Sequence, residues 1–384
     1  MTLVPDSGSS DASGTHSDVT SPSIGSIGAG AAASATAPFT RAPDRYAVIG
    51  HPIAHSKSPL IQTAFAVATG QALKYVHLLA PLDGFDAVVR GFIAGGGRGM
   101  NVTVPFKLEA FALADVLTER ASVAGAVNTL SFDEIDGVLR ILGDNTDGAG
   151  LVQDIEHNIG CALAGKRILL LGAGGAARGV VQPLLARKPA RLTISNRTLD
   201  RAHALQQQFA ADAVRLNCIL DVVGMGTLDE GASGSVAASA VQGDGLAYDV
   251  VINASASSLA GDLPTLPVGA INARTLAYDM MYSATHTVFM THAAALGARV
   301  FDGLGMLVEQ AAESFERWRG IRPDGATVLR ALRAGTDPLE ALLAAGSASS
   351  DGLKPSAVQP SVQPISPPAT PHIQALPKAG TLPS

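Results

Sequence analysis

A glycine-rich turn gives the strongest chemical signal in this sequence. Its residues, which fit the pattern G-x-G-x-x-A, are Gly172, Ala173, Gly174, Gly175, Ala176 and Ala177. The apolar run before the turn predicts a strand, and the segment from about 176 to 186 predicts a helix whose first amides can face a pyrophosphate. A merely flexible turn is the alternative, and the strand-turn-helix setting disfavours it. The turn therefore predicts a dinucleotide site.

The end of the next predicted strand indicates which dinucleotide binds. About 20 residues after such a turn, NAD enzymes carry an acidic residue for the ribose 2′-hydroxyl, whereas a cation suits the 2′-phosphate of NADP. This chain has Asn196, Arg197 and Thr198 there, with Arg201 one turn further on. The arginines can pair with a phosphate, and Thr198 can donate a hydrogen bond to it. A solvated arginine pair at a helix start is the alternative, but the position favours NADP.

Lys107 is a candidate proton donor. Hydride transfer to a ketone needs a donor close to the carbonyl oxygen, and lysine or histidine commonly supplies it. Lys107 follows Pro105, which ends the strand predicted over 100–104. The carboxyl ends of strands in open α/β sheets bind ligands. Considered alone, Lys107 is better interpreted as a surface lysine.

Other polar clusters also lie at predicted strand ends. Ser56 and Ser58 can both donate to one carboxylate, although serines before a helix more often serve as caps. Asn128 and the run 144–148 place amides and carboxylates just before the nucleotide-binding segment, so we expect Asp147 at a cleft between two domains. Such loops are also common as turns. The residues by themselves leave both interpretations open.

Alternating strands and helices must position these side chains. β-type runs lie at 46–49, 100–104, 167–171, 192–195, 250–253 and 276–279. Alternation with helical segments predicts an α/β fold with mainly parallel sheets. The runs near 168 and 250 are uninterrupted and apolar, as expected for central strands covered on both faces. A helical spacing of apolar residues from 304 to 318 predicts a late amphipathic helix.

Length and composition indicate two domains with polar tails. The chain has 384 residues, which is more than a single domain of roughly 100 to 200 residues usually contains. Residues 1–42 and 346–384 are rich in small residues and proline, so we expect both to be disordered. Residues 224–245, rich in Gly, Ala and Ser, are expected to form a loop insertion. The folded part should then span roughly 43 to 345.

Charge and cysteine content argue against several partners. A net charge of −6 with scattered Lys and Arg gives no basic footprint for nucleic acid. Cys161 and Cys218 lie far apart without metal-ligand spacing, so no metal is expected and a reducing compartment is favoured. No apolar stretch reaches the roughly 20 residues of a membrane helix, and the first residues lack a secretory signal. We therefore expect a cytoplasmic protein with no nucleic-acid or membrane partner.

Taken together, the motifs resemble those of the shikimate dehydrogenase family. The matching stretches are Gly50 with Pro52, 54–59, 101–107, 125–129, 143–148, 172–177, 196–198, 253–255, 278–282 and 302–310. They follow in order across roughly 45 to 320, which is nearly all of the predicted folded region. The chain departs from the family pattern in its two tails, in the length of the 224–245 loop and at Thr287-Val288, where a proline often follows the threonine. None of these departures touches a carried-over catalytic position.

The resemblance implies a role for each motif residue. Lys107 would exchange a proton with the substrate oxygen, and Asp147 would hold that oxygen and the lysine in place. Ser56 and Ser58 would bind the substrate carboxylate. The residues around the carboxylate and hydroxyls would be Asn101, Thr103, Asn128, Tyr282 and Gln310. The residues contacting NADP would be Gly172, Ala173, Gly174, Gly175, Ala176, Asn196, Arg197, Thr198, Arg201, Met280 and Gly303.

The family also implies an architecture and a reaction. A substrate domain of 43–146 would be completed by helices over 303–345, and a Rossmann-like NADP domain would span 147–302. The reaction would be the reversible NADPH-dependent reduction of 3-dehydroshikimate to shikimate, in chorismate and aromatic amino acid biosynthesis, by a monomer or homodimer. Alternatives are a quinate/shikimate dehydrogenase and a catalytically silent NADP-binding sensor. Arg197 and the two serines argue against the first, and the presence of Lys107 and Asp147 argues against the second.

Overall fold

The computed structural model describes residues 42–224, 247–255, 257 and 261–350, with side chains described as far as residue 344. Within these residues the chain forms two six-stranded sheets flanked by helices. The tails expected at 1–42 and 346–384 lie outside the described residues, apart from position 42 and positions 346–350. Beyond Gly224, the expected loop insertion lies outside them as well.

The first sheet is built by the N-terminal part of the chain. Its strands are β1 (Asp44–Gly50), β2 (Leu73–Leu79), β3 (Gly97–Val102), β4 (Val116–Leu117), β5 (Thr129–Ile135) and β6 (Val138–Asp144). The helices that connect them are α1 (Ser58–Ala68), α2 (Phe85–Ala94), α3 (Lys107–Leu113) and α4 (Glu119–Ala124). The strand order is β2-β1-β3-β5-β6-β4, and β5 runs against the other five. The strands β1, β3 and β6 therefore end at the same edge of this sheet.

The second sheet is entirely parallel in the described part of the chain. Its strands are β7 (Arg167–Leu171), β8 (Arg191–Asn196), β9 (Ile219–Gly224), β10 (Val250–Asn253), β11 (Leu276–Asp279) and β12 (Arg299–Phe301). The helices described around it are α5 (Asp147–Gln153), which continues into a π-helical turn (Asp154–Asn158), α6 (Gly175–Ala186), α7 (Leu199–Arg215) and α8 (Val288–Ala295). The order β12-β11-β10-β7-β8-β9 reverses between β7 and β10. Dinucleotide-binding sheets have this order and bind their ligand at the reversal.

The last helices return to the first sheet, as the family resemblance implies. They are α9 (Leu304–Arg319), α10 (Gly325–Arg333) and α11 (Pro338–Ser350). Phe315 of α9 packs edge-on against Phe65 of α1, with ring centroids 5.9 Å apart, inside a buried apolar cluster. Gln62 donates a hydrogen bond from its amide to the Ala311 carbonyl at 3.0 Å. Burial of two such rings contributes roughly 2–3 kcal/mol each to the docking of α9.

The fold class is confirmed, with differences at some element ends. The strands predicted at 167–171, 250–253 and 276–279 have the predicted bounds. The strand predicted over 100–104 instead ends at Val102, because Thr103 and Phe106 close a turn through a 3.0 Å backbone hydrogen bond and Pro105 has no N–H to pair. The last helix reaches Ser350, past the predicted end of the folded part at 345. No helix among the described residues is long and apolar enough to cross a membrane.

Candidate active site

Lys107 and Asp147 meet at the edge where β1, β3 and β6 end. Each begins a helix directly after one of these strands, α3 for the lysine and α5 for the aspartate. Nζ of Lys107 lies 2.5 Å from Oδ2 of Asp147. The side chains are 31% and 13% exposed, so the carboxylate is enclosed while part of the ammonium faces solvent. A charge-assisted hydrogen bond of this kind holds the lysine in one place and leaves its other protons available.

Asn128 fixes the orientation of that carboxylate. Its Nδ2 donates to Oδ1 of Asp147 at 2.8 Å and to Oγ1 of Thr146 at 2.9 Å. Its Oδ1 accepts the backbone N–H of Thr146 at 2.8 Å. Oε1 of Gln310, on α9, lies 3.4 Å from the same Nδ2. Both oxygens of Asp147 thus have a donor, and four of the predicted site residues form one hydrogen-bonded cluster.

Asn101 joins this cluster through its neighbours. Its Nδ2 donates to Oγ1 of Thr129 at 3.1 Å, and that hydroxyl donates to Oδ1 of Asn128 at 2.9 Å. Its Oδ1 accepts from the hydroxyl of Tyr75 at 2.7 Å. Burial raises the pKa of Tyr75 well above its usual value, so the phenol stays protonated as a donor. Tyr75 is a supporting residue that the sequence motifs do not indicate.

The remaining predicted substrate residues stand apart from the cluster. The hydroxyls of Ser56 and Ser58 are 3.2 Å apart, and Ser56 also accepts the backbone N–H of Ser58 at 3.3 Å. The two hydroxyls are therefore adjacent, as carboxylate binding requires, and Ser56 also accepts an amide at the start of α1, as a capping residue does. Thr103 lies in the turn after β3, and Tyr282 packs against the apolar cluster of α1 and α9. In the described part of the chain, none of these four makes a hydrogen bond to the Lys107 cluster.

A buried ion pair supports the chain just before Asp147. Asp144, 2% exposed, accepts two hydrogen bonds from Arg120, both at 2.7 Å, and one from Thr118 at 2.6 Å. Arg120 also reaches Glu313 of α9 at 2.7 Å. Burial acts to raise the pKa of Asp144, but the hydrogen bonds and charge of Arg120 outweigh it, and the pKa is lowered. Sequence motifs give no signal for this pair because its partners lie on α4, β6 and α9.

The glycine turn after β7 has the geometry that a dinucleotide requires. Gly172 has φ +108°, which side chains rarely adopt, and a Cβ there would lie 3.2 Å from the backbone of Ala254 and Ser255 after β10. Its N–H donates to the Ser195 carbonyl at 2.7 Å. Gly174 precedes α6, and the space where its Cβ would stand is open. A pyrophosphate can therefore approach the first amides of α6.

The end of β8 presents uncompensated positive charge. Arg197 and Arg201 are both exposed, and neither forms an ion pair with a carboxylate among the residues described. Asn196 donates from its amide to the Thr198 carbonyl at 2.8 Å, which shapes the loop between β8 and α7. Free guanidinium groups at this position suit the 2′-phosphate of NADP.

Met280 and Gly303 lie against each other at the far side of the same edge. A Cβ on Gly303 would overlap the Met280 carbonyl oxygen, and the Gly303 N–H donates to the Met281 carbonyl at 3.0 Å. The Met280 N–H donates to the Asn253 carbonyl at 3.0 Å, at the ends of β10 and β11. The predicted cofactor residues thus lie at the ends of four strands, β7, β8, β11 and β12, at one edge of the sheet.

The fold and these contacts define a nucleotide-dependent α/β oxidoreductase with a lysine-aspartate pair. More specifically, the chain belongs to the shikimate dehydrogenase family. Residues 48–130 match the family description "Shikimate dehydrogenase substrate binding domain". Residues 154–225 match "Shikimate / quinate 5-dehydrogenase", and residues 303–333 match "Shikimate 5'-dehydrogenase C-terminal domain".

Individual relatives agree with this placement. The "Shikimate dehydrogenase (NADP(+))" of Aromatoleum aromaticum is 58% identical over 291 residues, which cover 76% of this chain and 97% of that protein. The crystal structure of an Ael1 enzyme from Pseudomonas putida is similar with a TM-score of 0.66 and 45% identity, covering 77% of this chain and 99% of that one. Shikimate 5-dehydrogenase from Thermus thermophilus, solved in complex with NADP(H) and shikimate, has a TM-score of 0.60 and 29% identity, with coverages of 79% and 99%.

Proposed function

We propose that this chain catalyses the reversible, NADPH-dependent reduction of 3-dehydroshikimate to shikimate. The observation that carries the proposal is the 2.5 Å contact between Lys107 and Asp147 at the strand ends of the first sheet. Relatives of more than 50% identity with the name "Shikimate dehydrogenase (NADP(+))" support both the reaction and the cofactor. The two cysteines, free in this fold, favour a cytoplasmic location.

The proposed substrate domain comprises residues 43–146 and 303–345, and the proposed NADP domain comprises 147–302. Separate apolar clusters support this division. One cluster covers one face of the first sheet, another joins α1 to α9, and two more cover the two faces of the second sheet, one of them with Met306 of α9. Substrate would lie where the edge carrying Lys107 faces the edge carrying Gly172.

On the substrate side, this chain's residues bind the anion and move one proton. Ser56 and Ser58 bind the substrate carboxylate through their adjacent hydroxyls. During reduction Lys107 gives a proton from Nζ to the carbonyl oxygen, and it regains a proton from solvent through its exposed fraction. Asp147 keeps the ammonium and the oxygen aligned, with Asn128 holding its second carboxylate oxygen. In the reverse direction Lys107 accepts the proton.

Further hydrogen-bonding side chains would select the hydroxylated ring. In this proposal Asn101, Thr103, Tyr282 and Gln310 face the carboxylate and hydroxyls of the substrate. Sites that pair polar groups with substrate hydroxyls reject analogues lacking them, because the buried partners are then left unpaired. Burial raises the pKa of Tyr282, so its phenol is a donor at neutral pH.

On the cofactor side, the geometry fits NADP. The turn from Gly172 to Ala176 and the start of α6 would hold the pyrophosphate, and Arg197 and Arg201, with Asn196 and Thr198, would hold the 2′-phosphate. Met280 and Gly303 would border the nicotinamide end. When bound, NADPH supplies the hydride for the ring carbon.

Kinetics with four substrate and cofactor pairs test the proposal. The purified chain is assayed for formation of reduced nicotinamide with shikimate or quinate, each with NADP+ or NAD+. We expect the highest kcat/KM with shikimate and NADP+. The highest value with quinate would identify a quinate-preferring enzyme instead, and NADP binding without turnover of any pair would identify a silent sensor.

A further inference from the structure

A cavity lies on the first sheet, away from the Lys107 cluster. Its volume is about 310 Å³, within the lower range of small-molecule sites. Among the residues that line it are Arg98, Ser131, Asp133, Arg317 and Trp318, together with the ion pair of Arg319 and Asp44, whose Nη1 and Oδ2 lie 2.6 Å apart. None of the residues proposed to bind substrate or NADP lines it. The proposed reaction therefore gives this cavity no role.

Apart from Asp44 and Arg319, the charged side chains around the cavity have no partner of opposite charge at hydrogen-bond distance among the described residues. The carboxylate nearest to Arg98 is that of Asp44, at 3.9 Å, and the one nearest to Arg317 is that of Asp144, at 3.7 Å. Both separations are long for a charge-assisted hydrogen bond. Asp133 and Glu134 are exposed and form no ion pair with the described residues. Positively and negatively charged groups that lack a close partner among the described residues thus lie at one place.

The floor and one wall of the cavity are formed by side chains that hold fixed positions. Ser131 is 4% exposed, and its hydroxyl has no hydrogen-bond partner among the residues described. Strand alternation in β5 places Ser131 and Asp133 on the same face of the sheet. Trp318 is fixed there, because its indole N–H donates to the Leu130 carbonyl at 3.1 Å and its ring lies 4.7 Å from that of Tyr46. A ligand on this floor would provide the missing partner of the serine.

We propose that this cavity binds a small zwitterion, a molecule that carries one carboxylate and one ammonium group. Arg98 and Arg317 pair with its carboxylate, and Asp133 pairs with its ammonium. A dianion would place its second anionic group beside Asp133, and a dication would place a cationic group beside the two guanidinium groups, so both are disfavoured.

Occupancy is coupled to the active site through Arg317. A ligand carboxylate draws this guanidinium away from Asp144, whose Oδ1 accepts the backbone N–H of Asn145 at 2.7 Å, two residues before Asp147. The helix α9, which carries Arg317, also carries Gln310 of the Lys107 cluster. Binding is therefore expected to change kcat for shikimate, an effect that rests on the proposed function.

Tryptophan fluorescence tests the site directly, because Trp318 is the single tryptophan of the sequence. The full chain is titrated with L-glutamine as the zwitterion probe, with glutarate as the dianion and 1,4-diaminobutane as the dication. We expect a saturable change with L-glutamine alone. Arg98→Gln and Asp133→Asn, both at exposed positions, should each weaken it about tenfold. Asp136→Asn, at an exposed position of the same hairpin that does not line the cavity, should not.

The outcomes separate the two parts of the proposal. No saturable change with L-glutamine, or an equal response to all three probes, would overturn the site. A saturable change without any effect on kcat for shikimate would overturn the coupling. Since fluorescence needs no turnover, failure of the proposed reaction would be seen separately.

Discussion

Asn128 shows how far single residues can be interpreted from sequence. Its loop looks like an ordinary turn, and only the family resemblance implies a place beside the substrate. In the fold, its amide contacts both Thr146 and Asp147, which lie at the start of α5, after β5 and β6. Tyr75 and Arg120 carry no motif at all, because their roles arise from partners on other elements. The role of a residue can be predicted when residues close in sequence determine it. It cannot be predicted when its partners come from other elements of the fold.

Arg197→Gln is expected to raise KM for NADP+ about tenfold to a hundredfold and to leave KM for NAD+ nearly unchanged. The substitution removes a charged partner of the 2′-phosphate, a group that NAD+ lacks, and hydrogen bonds to charged groups contribute about 1.5–3 kcal/mol. Initial rates over a range of each cofactor measure the effect. Arg330→Gln, at an exposed position of α10, is the matched control. Equal loss of affinity for both cofactors would place Arg197 elsewhere than at the 2′-phosphate.

At the scale of elements, strands covered on both faces were predictable with their bounds. Their continuous apolar runs match the buried β7 and β10. The antiparallel pair β5 and β6 is absent from the sequence prediction, because half of each strand extends from the sheet and exposes apolar residues such as Leu139. The Asp136-Gly137 dipeptide between them was the available signal. Both residues have positive φ, 54° and 74°, as a two-residue type I′ hairpin requires.

The ion pair that ends β6 gives a stability prediction. Asp144→Asn should lower the free energy of unfolding by about 2–3 kcal/mol at neutral pH, because it leaves the partly buried Arg120 without its bidentate partner. Urea unfolding followed by circular dichroism measures it. Asp212→Asn, which breaks only a surface pair with Arg215, should change the same quantity by about 0.5 kcal/mol or less.

The same variant gives a pH dependence. Because the folded pKa of Asp144 lies below its ordinary value of 3.8, the folded protein binds fewer protons at this group than the unfolded chain does. The stabilisation is complete above the unfolded pKa and is lost as the pH falls through the folded pKa. The difference between wild type and Asp144→Asn should therefore be constant from about pH 7 to pH 5 and shrink below about pH 4. A difference that grows on acidification would contradict this account.

At the scale of the whole molecule, α9 connects both sheets. Near its start, Gly305 packs so closely on Asp154 that any Cβ would overlap the carboxylate, and Asp154 accepts a hydrogen bond from Tyr278 of β11 at 2.7 Å. Burial raises the pKa of Asp154 even with this donor. Near its end, Phe315 packs on α1. The two-domain organisation was implied by family resemblance, but this close packing between α9, β11 and the π-helical turn after α5 follows only from the tertiary structure.

Gly305→Ala is expected to lower the free energy of unfolding by about 1–3 kcal/mol and to reduce kcat, because α9 must shift away from Asp154 and carries Gln310 with it. Thermal unfolding and steady-state kinetics measure the two effects. Gly91→Ala in α2, where a Cβ would meet nothing within 4 Å, is the control and should stabilise by roughly 0.5–1 kcal/mol. Equal behaviour of the two variants would show that α9 is not fixed by this contact.

The proton transfer by Lys107 is the central claim, and steady-state kinetics of Lys107→Ala with shikimate and NADP+ test it most directly. The account predicts a fall in kcat of about 10²-fold to 10⁴-fold with little change in KM for shikimate, since the serines and amides that bind it are untouched. Lys74→Ala, which removes an exposed lysine on β2, should behave like wild type. A Lys107→Ala enzyme that keeps its kcat would contradict the account.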